Sequence, residues 1–358
     1  MRRGAIVRVV VLGVVLGLGA TAVAILIPWL PDSASDQAEE VDFVFWFVTA
    51  ICIAVFSVVA SIAVYSVLKF RAPPDDDADG LPIHGHTGIE IAWTVVPFIL
   101  VSAMGLVSAV ALARNEKVPD DAMVVNVVGR QFAWQFMYPP ANAPDPGEDT
   151  LECDNQSVRA RCLTSGQLHL PLRVPVHLRM RADDVIHSFW VPEFRQKQDL
   201  LPGEVTTLVI TPTKVGQYEV LCTELCGLGH STMRAAAIVT SPADFAKWKA
   251  EAGKQTSGGG NAGQAVFTQN GCSSCHTLKE AKATGTTGPD LDKLPQEAQE
   301  AGKPLEAFVR ESIVSPDAYV QKGYPAGVMP KTYANLPKEQ LDALVQYLVR
   351  SSRGGGSR

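Results

Sequence analysis

Three stretches without a charged residue occupy most of the first third of this 358-residue chain: Val9 to Leu30, Phe43 to Leu68 and Ile91 to Ala113. A bilayer core needs about 20 consecutive apolar residues, and a helix is the local structure that satisfies its own backbone polar groups there. The second and third runs therefore predict a transmembrane helical hairpin over residues 41–114. A buried helical pair in a soluble protein fits poorly, because nothing polar punctuates either run. Lys69 and Arg71 directly follow the second run, so the loop from Lys69 to Glu90 is expected on the cytoplasmic side despite its four aspartates. The chain then re-emerges outside near Arg114. The first run follows Arg2, Arg3 and Arg8. Residues 1–30 fit either a signal peptide, with A-T-A and A-V-A as cleavage candidates, or an extra uncleaved span. The later topology is the same either way.

A chain of this length predicts two or three domains. A net charge of -6 with no basic stripe excludes nucleic acid as the partner. From Met123 onward, short apolar and β-branched runs alternate with Pro and Gly: V-V-N-V-V-G, F-A-W-Q-F-M-Y, L-H-L-P-L-R-V-P-V-H-L-R-M, T-T-L-V-I-T-P and Q-Y-E-V-L-C. Runs of this kind read as strands and predict an all-β Greek-key barrel or sandwich over residues 120–250. Residues 141–166, rich in Pro, Asp and Gly, read as an insert on its surface. His169 and His177 fall in strand patterns and are expected to be structural.

Within that region Cys222 to Met233 reads C-T-E-L-C-G-L-G-H-S-T-M. Two thiols, an imidazole and a thioether form a soft ligand set suited to copper. A blue-copper site uses a single cysteine, whereas two thiolates can bridge two metal ions. The second histidine such a centre needs is best supplied by His187, in D-D-V-I-H-S-F-W-V-P. A structural zinc site of mixed Cys and His ligands meets the same local spacing.

The last third begins with a linker, residues 251–263, whose S-G-G-G-N-A-G segment is flexible by composition. Beyond it C-S-S-C-H at 272–276 is the c-type haem attachment signature. Cys272 and Cys275 would bond the two vinyl groups, and His276 would be the proximal iron ligand. G-P-D-L at 288–291 resembles the loop whose proline carbonyl orients that histidine, and G-V-M-P at 327–330 resembles the distal methionine loop, which makes Met329 the second axial ligand. L-P-K-E-Q-L-D-A-L-V-Q-Y-L has apolar residues at helical spacing. Residues 264–352 are thus expected to form an all-α class I cytochrome c domain, followed by a disordered tail, S-S-R-G-G-G-S-R.

From Val41 to Trp248 the chain resembles subunit II of the haem-copper cytochrome c oxidases. The resemblance is carried by H-S-F-W-V-P at 187–192, K-Q-D-L-L-P-G at 197–203, the twelve-residue ligand loop and D-F-A-K-W at 244–248. It implies a cupredoxin-like domain holding the binuclear copper pair CuA. Cys222 and Cys226 would bridge the coppers, His187 and Met233 would complete one, and His230 with the carbonyl of Glu224 the other. The Glu224 side chain resembles the one that binds magnesium or manganese at the boundary with subunit I. Glu90, in E-x-x-W-T, matches the glutamate near the entrance of the K proton channel. In G-R-Q-F-A-W-Q-F-M-Y-P the family commonly has a tryptophan that receives the electron from soluble cytochrome c. Here Phe132 stands in its place, and Trp134 matches a later aromatic on the electron path. A smaller ring without an indole N–H argues against direct docking of an outside donor, and the fused cytochrome supplies a substitute.

With these four cysteines placed and Cys52 inside an apolar run, Cys153 and Cys162 remain, and they are expected to form a disulfide rather than stay as free thiols. The implied function is that of the electron-input subunit of a caa3-type cytochrome c oxidase in a bacterial cell membrane, with both redox domains on the outer face. It would pass electrons from cytochrome c or a cytochrome bc complex through haem c and CuA to haem a of subunit I. Oxygen reduction and proton translocation would lie in that partner, with subunit III alongside. A CuA-containing nitric oxide reductase subunit would share every motif. A membrane-anchored carrier with no catalytic partner is the reading from another class. A nitrous oxide reductase would need a histidine-rich propeller, and a quinol oxidase subunit lacks the copper ligands.

Overall fold

The computed structural model describes residues 3–71, 82, 84–159, 161–257 and 262–354. Most of the expected cytoplasmic loop and the centre of the expected linker lie outside them. The described residues divide into two units, residues 1–33 with 38–117 and residues 34–37 with 118–358.

The first unit is helical. Helices α1 (Arg3–Leu26), α2 (Asp36–Phe70) and α3 (Thr87–Asn115) are each long and apolar enough to cross a membrane. Almost none of their apolar surface is buried by the chain itself, as expected where lipid is the solvent. Small residues let α1 approach α2: a Cβ added at Gly13 would sit 3.4 Å from the Ser61 hydroxyl, and one at Gly17 3.1 Å from that of Ser57. Both serines bond back to their own helix, at the carbonyls of Ile53 and Val58. At the start of α3 the His86 ring accepts from the Ile89 N–H, and Glu90 accepts from the His86 N–H, a reciprocal cap.

The second unit opens with two five-stranded sheets packed face to face. Strands β1 (Met123–Arg130), β2 (Ala133–Tyr138), β3 (Leu163–Ser165), β5 (Val176–Ala182) and β8 (Thr206–Ile210) form one, in the order β3-β2-β1-β5-β8. Strands β4 (Leu168–Pro171), β6 (His187–Trp190), β7 (Lys197–Leu200), β9 (Gly216–Cys222) and β10 (Arg234–Thr240) form the other, in the order β4-β10-β9-β6-β7. This is the Greek-key, cupredoxin-like sandwich. Alternation along β2 shows why the aromatic run is a strand: Trp134, Phe136 and Tyr138 are buried in the core while their neighbours face away. The continuous run expected from Leu168 to Met180 is broken, because Arg173 takes a positive φ of 61° between two prolines and β4 and β5 go to different sheets.

The insert after β2 carries a 3₁₀ turn at Glu152–Asp154, the short helix α4 (Gln156–Arg159) and a disulfide between Cys153 and Cys162. A buried polar cluster pins it to the sandwich. Asn126 of β1 donates to Glu152 and accepts from the Cys153 N–H, while Arg179 of β5 donates to Glu152 at 3.0 Å and to the carbonyls of Gly147 and Thr150.

Helix α5 (Pro242–Ser257) follows β10, and the ring of Trp248 stacks on His169 with centroids 3.8 Å apart. His169 is thus a packing residue, and His177 lies half-buried within β5. The C-terminal module comprises α6 (Ala262–Gln269), α7 (Cys272–Cys275), α8 (Leu294–Glu300), α9 (Leu305–Val314) and α10 (Lys338–Gly354). Two expectations from composition change here. The stretch 251–257 is helix rather than linker, and Gly263 belongs to α6, where a Cβ would run into the carbonyl of Ala343 on α10. The first residues of the expected disordered tail are also helical, since Ser351 and Ser352 are buried with the last turn of α10. Residues 355–358 of that tail lie outside the described residues.

Glu152→Ala would leave the buried Arg179 guanidinium without its carboxylate and should cost about 3–5 kcal/mol, whereas Glu152→Leu with Arg179→Met should come out near neutral. Denaturant unfolding of the full chain in detergent, followed by tryptophan fluorescence, measures both.

Candidate metal and cofactor centres

One end of the second sheet gathers the sulfur ligands. Its central strands run β10-β9-β6, so the end of β9 brings Cys222 beside the start of β6, where Phe189 pairs with Cys222. His187 opens β6. The loop after Cys222 returns on itself, with the Cys222 N–H donating to the Met233 carbonyl and the Thr223 N–H to that of Ser188. Among the described residues, His187, Cys222 and Cys226 place their donor atoms within 4.8 Å of one another, all buried. The two sulfurs are 3.8 Å apart, far beyond disulfide length, so both remain available as ligands. Nδ1 of His187 lies 3.9 Å from the Cys222 sulfur, Nδ1 of His230 3.6 Å from the Cys226 sulfur, and the Met233 sulfur 3.9 Å from that of Cys226. The carbonyl of Glu224 is 3.3 Å from the Cys222 sulfur while its side chain is exposed. All six expected copper ligands thus converge on one spot.

The electrostatics favour a negative charge on one of the two sulfurs. Burial opposes ionisation of Cys222, but hydrogen bonds with His187 and with the backbone at Ser188 and Glu224 outweigh it and hold the thiol below its ordinary range. Burial and the neighbouring Cys222 charge push Cys226 the other way, so a cation is needed to draw off its proton. His187 feels burial first, yet Asp184 and Cys222 raise its pKa on balance. Nε2 of His187 meets Oδ1 of Asp184 at 2.8 Å, which puts the ring proton there and leaves Nδ1 facing the sulfurs. Asp184 also accepts from the Gln131 N–H at 2.7 Å, and the Gln131 side chain donates to the Cys226 carbonyl at 2.6 Å. Sequence reading missed both residues. The acid three positions before His187 was the signal for Asp184, and nothing local marks Gln131.

A second centre lies in the C-terminal module. Its cavity is lined by Cys272, Cys275, His276 and Met329, the four expected haem residues. Nδ1 of His276 lies 2.8 Å from the Pro289 carbonyl and donates to it, which turns Nε2 into the cavity. A Cβ at Gly288 would come 2.6 Å from the His276 ring, so glycine is what lets this loop lie against the imidazole. Burial lowers the His276 pKa and keeps the ring neutral, the form that binds iron. Burial also pushes Cys272 up to about 12. Two buried side-chain oxygens, Glu297 Oε1 and Gln321 Oε1, have no hydrogen-bond partner among the described residues and belong to residues of this wall.

Phe132 and Ala133 of the sandwich also line the cavity. Phe132 is buried, and its ring lies against the ligand loop: a Cβ at Gly227 would meet it at 3.1 Å, and one at Gly229 would overlap it. A Cβ at Gly271, the residue before Cys272, would touch that of Ala133 at 2.9 Å. Val328, next to Met329, packs on the sandwich core. Trp134 is fully buried behind this contact, edge-on to His187 and Phe189. Glu90 is engaged with His86 in the α3 cap.

Three family profiles match the chain. Cytochrome c oxidase subunit II, transmembrane domain, covers residues 21–110; the periplasmic domain of the same subunit covers 123–240; cytochrome c covers 261–352. Cytochrome c oxidase subunit 2 of Synechocystis sp. is 31% identical over 62% of this chain and 75% of its own length. That of Alkalihalophilus pseudofirmus is 30% identical over 83% of each. The crystal structure of the periplasmic domain of subunit II of cytochrome oxidase from Bradyrhizobium japonicum is 28% identical and covers 39% of this chain and 99% of that one, with a TM-score of 0.32. The chain belongs to the cytochrome c oxidase subunit II family and carries a cytochrome c domain at its C-terminal end.

Proposed function

We propose that this chain is the electron-input subunit of a caa3-type oxidase of a bacterial cell membrane. It takes electrons from an external donor through a covalent haem c and a binuclear CuA pair toward haem a of subunit I, where oxygen is reduced and protons are translocated. Membership of the family already implies a subunit I partner and a membrane. The observation that carries the finer reading is the position of Phe132, which touches the sulfur loop and lines the cavity in front of His276.

The residues fit both groups. A soft N₂S₃ set with one backbone carbonyl, gathered within about one side-chain length, matches a thiolate-bridged copper pair better than a tetrahedral zinc site, which would leave donors unused. When bound, such a pair supplies reversible one-electron transfer with little change in bond lengths. His187, Cys222, Glu224, Cys226, His230 and Met233 hold it, and Asp184 fixes the ring of His187. Cys272 and Cys275 anchor the haem, and His276 and Met329 ligate its iron, a pair that raises the potential. The Glu224 carboxylate, exposed beside the loop, is free to bind magnesium or manganese shared with subunit I. Glu90 sits at the N-terminus of α3, consistent with a role at the entrance of a proton pathway in the partner.

Metal analysis and EPR of the matured chain should give two coppers and one covalent haem; one zinc and no copper would overturn the copper assignment. Purification with the partner subunit, followed by assays with oxygen and with nitric oxide, identifies the acceptor. Asp184→Asn, which frees the His187 tautomer, should weaken copper binding by about 10–100-fold in chelator competition. Phe132→Leu keeps the bulk and loses the π system; flash reduction of the haem should then show slower reoxidation by copper with unchanged metal content and potentials. An unchanged rate would remove Phe132 from the route.

A further inference from the structure

Glu297 is a carboxylic acid in the wrong place for structure alone. It lies on α8, is 5% exposed, lines the haem cavity, and has one carboxyl oxygen with no partner among the described residues. A buried polar atom left unsatisfied costs free energy, and a buried charge costs more. Most of the charge around it adds to that cost. On α8 itself Glu300 adds a like charge, and the preceding turn adds Asp290. The cation that favours its charged form, Lys293, already sits 3.7 Å from Asp290. From α9 come Phe308, Val309 and Ile313, all apolar, while Glu306 is exposed and the remaining charges are engaged elsewhere: Lys303 with Glu311, and Arg310 with Asp342 of α10. From α10 come Leu344, Leu348 and the buried phenol of Tyr347. Burial, with Glu300 and Asp290 behind it, raises the carboxyl to about 7.

We infer that Glu297 is a proton-binding site coupled to reduction of the haem. When the iron gains one electron from the upstream donor and passes from ferric to ferrous, the Glu297 carboxylate takes one proton from solvent and becomes the neutral acid. Reoxidation by the copper side releases both. The reason is electrostatic: an electron added to a low-dielectric cavity raises the proton affinity of any acid in its wall, and this acid already titrates near neutrality. The inference rests on the proposed haem c.

The test is spectroelectrochemical titration of the haem band in the full, copper-loaded chain from about pH 6 to about pH 8. In the parent the midpoint should fall with rising pH toward a tenfold change in equilibrium constant per pH unit, which for one electron is about 59 mV. Glu297→Gln should flatten that slope. Glu300→Gln, which removes the neighbouring like charge, should move the sloping range to lower pH, and a pH-indicator dye should report proton uptake on reduction in the parent and not in Glu297→Gln. A parent slope retained in Glu297→Gln would assign the proton to the haem propionates and overturn the inference. A chain without covalent haem would overturn the haem assignment instead, and that is read directly from a haem stain of the denatured protein.

Discussion

The contact between the Phe132 ring and the backbone at Gly227 and Gly229 fixes how the two candidate centres sit relative to each other. An aromatic ring can lie flat on a ligand loop only where that loop has no side chain to interpose, and at Gly229 even a methyl group would overlap the ring. The far side of Phe132 lines the cavity in front of His276, so one rigid side chain, two torsions in all, spans from sulfur ligands to haem wall. The same turn is tied to the copper side a second time. Gln131 gives its backbone N–H to Asp184, which holds His187, and its side chain to the carbonyl of Cys226. Any shift of the β1–β2 turn therefore moves a candidate copper ligand and the edge of the cavity together.

That coupling also gives the tether its use. A covalent connection holds the cytochrome domain near the copper at roughly millimolar effective concentration, which suffices for frequent encounter but fixes no orientation. Orientation comes from close packing: Gly271 against Ala133, and Val328 on the sandwich core. These neighbours of Cys272 and Met329 dock the haem-bearing face, not merely the domain.

What was legible in the sequence follows from the range of the physics involved. The three apolar helices and the alternating aromatic strand are patterns within a few residues, and the ligand loop and C-S-S-C-H are chemistry within twelve, so all could be read locally. His187 was placed because a cysteine pair needs a second imidazole, an argument from valence, although its position at the start of β6 depends on pairing with Leu200 and was not visible. The linker and tail were misjudged for the same reason in both cases. Glycine and serine composition marks flexibility only in isolation, and packing overrides it: Gly263 is wanted for close approach to α10, and Ser351 and Ser352 are buried because α10 carries them inward. Gln131 and the docking face act across separations of 53 to 95 residues or more, beyond any local pattern, whereas Asp184 stands three positions before His187 and was overlooked.

The two centres also solve opposite electrostatic problems. At Cys222 hydrogen bonds outweigh burial and favour a negative sulfur, while burial and that neighbouring charge keep Cys226 protonated until a cation binds. Around the haem cavity burial wins everywhere it is felt: it pushes up Cys272, Cys275 and Glu297 and keeps His276 neutral. Burial on this side therefore favours the neutral form of each of these groups. A polar, hydrogen-bonded sulfur site stabilises a bound cation and changes little when that cation changes oxidation state. Phe132 thus stands between a wall where burial opposes charge and a sulfur loop where hydrogen bonds favour it at one thiol.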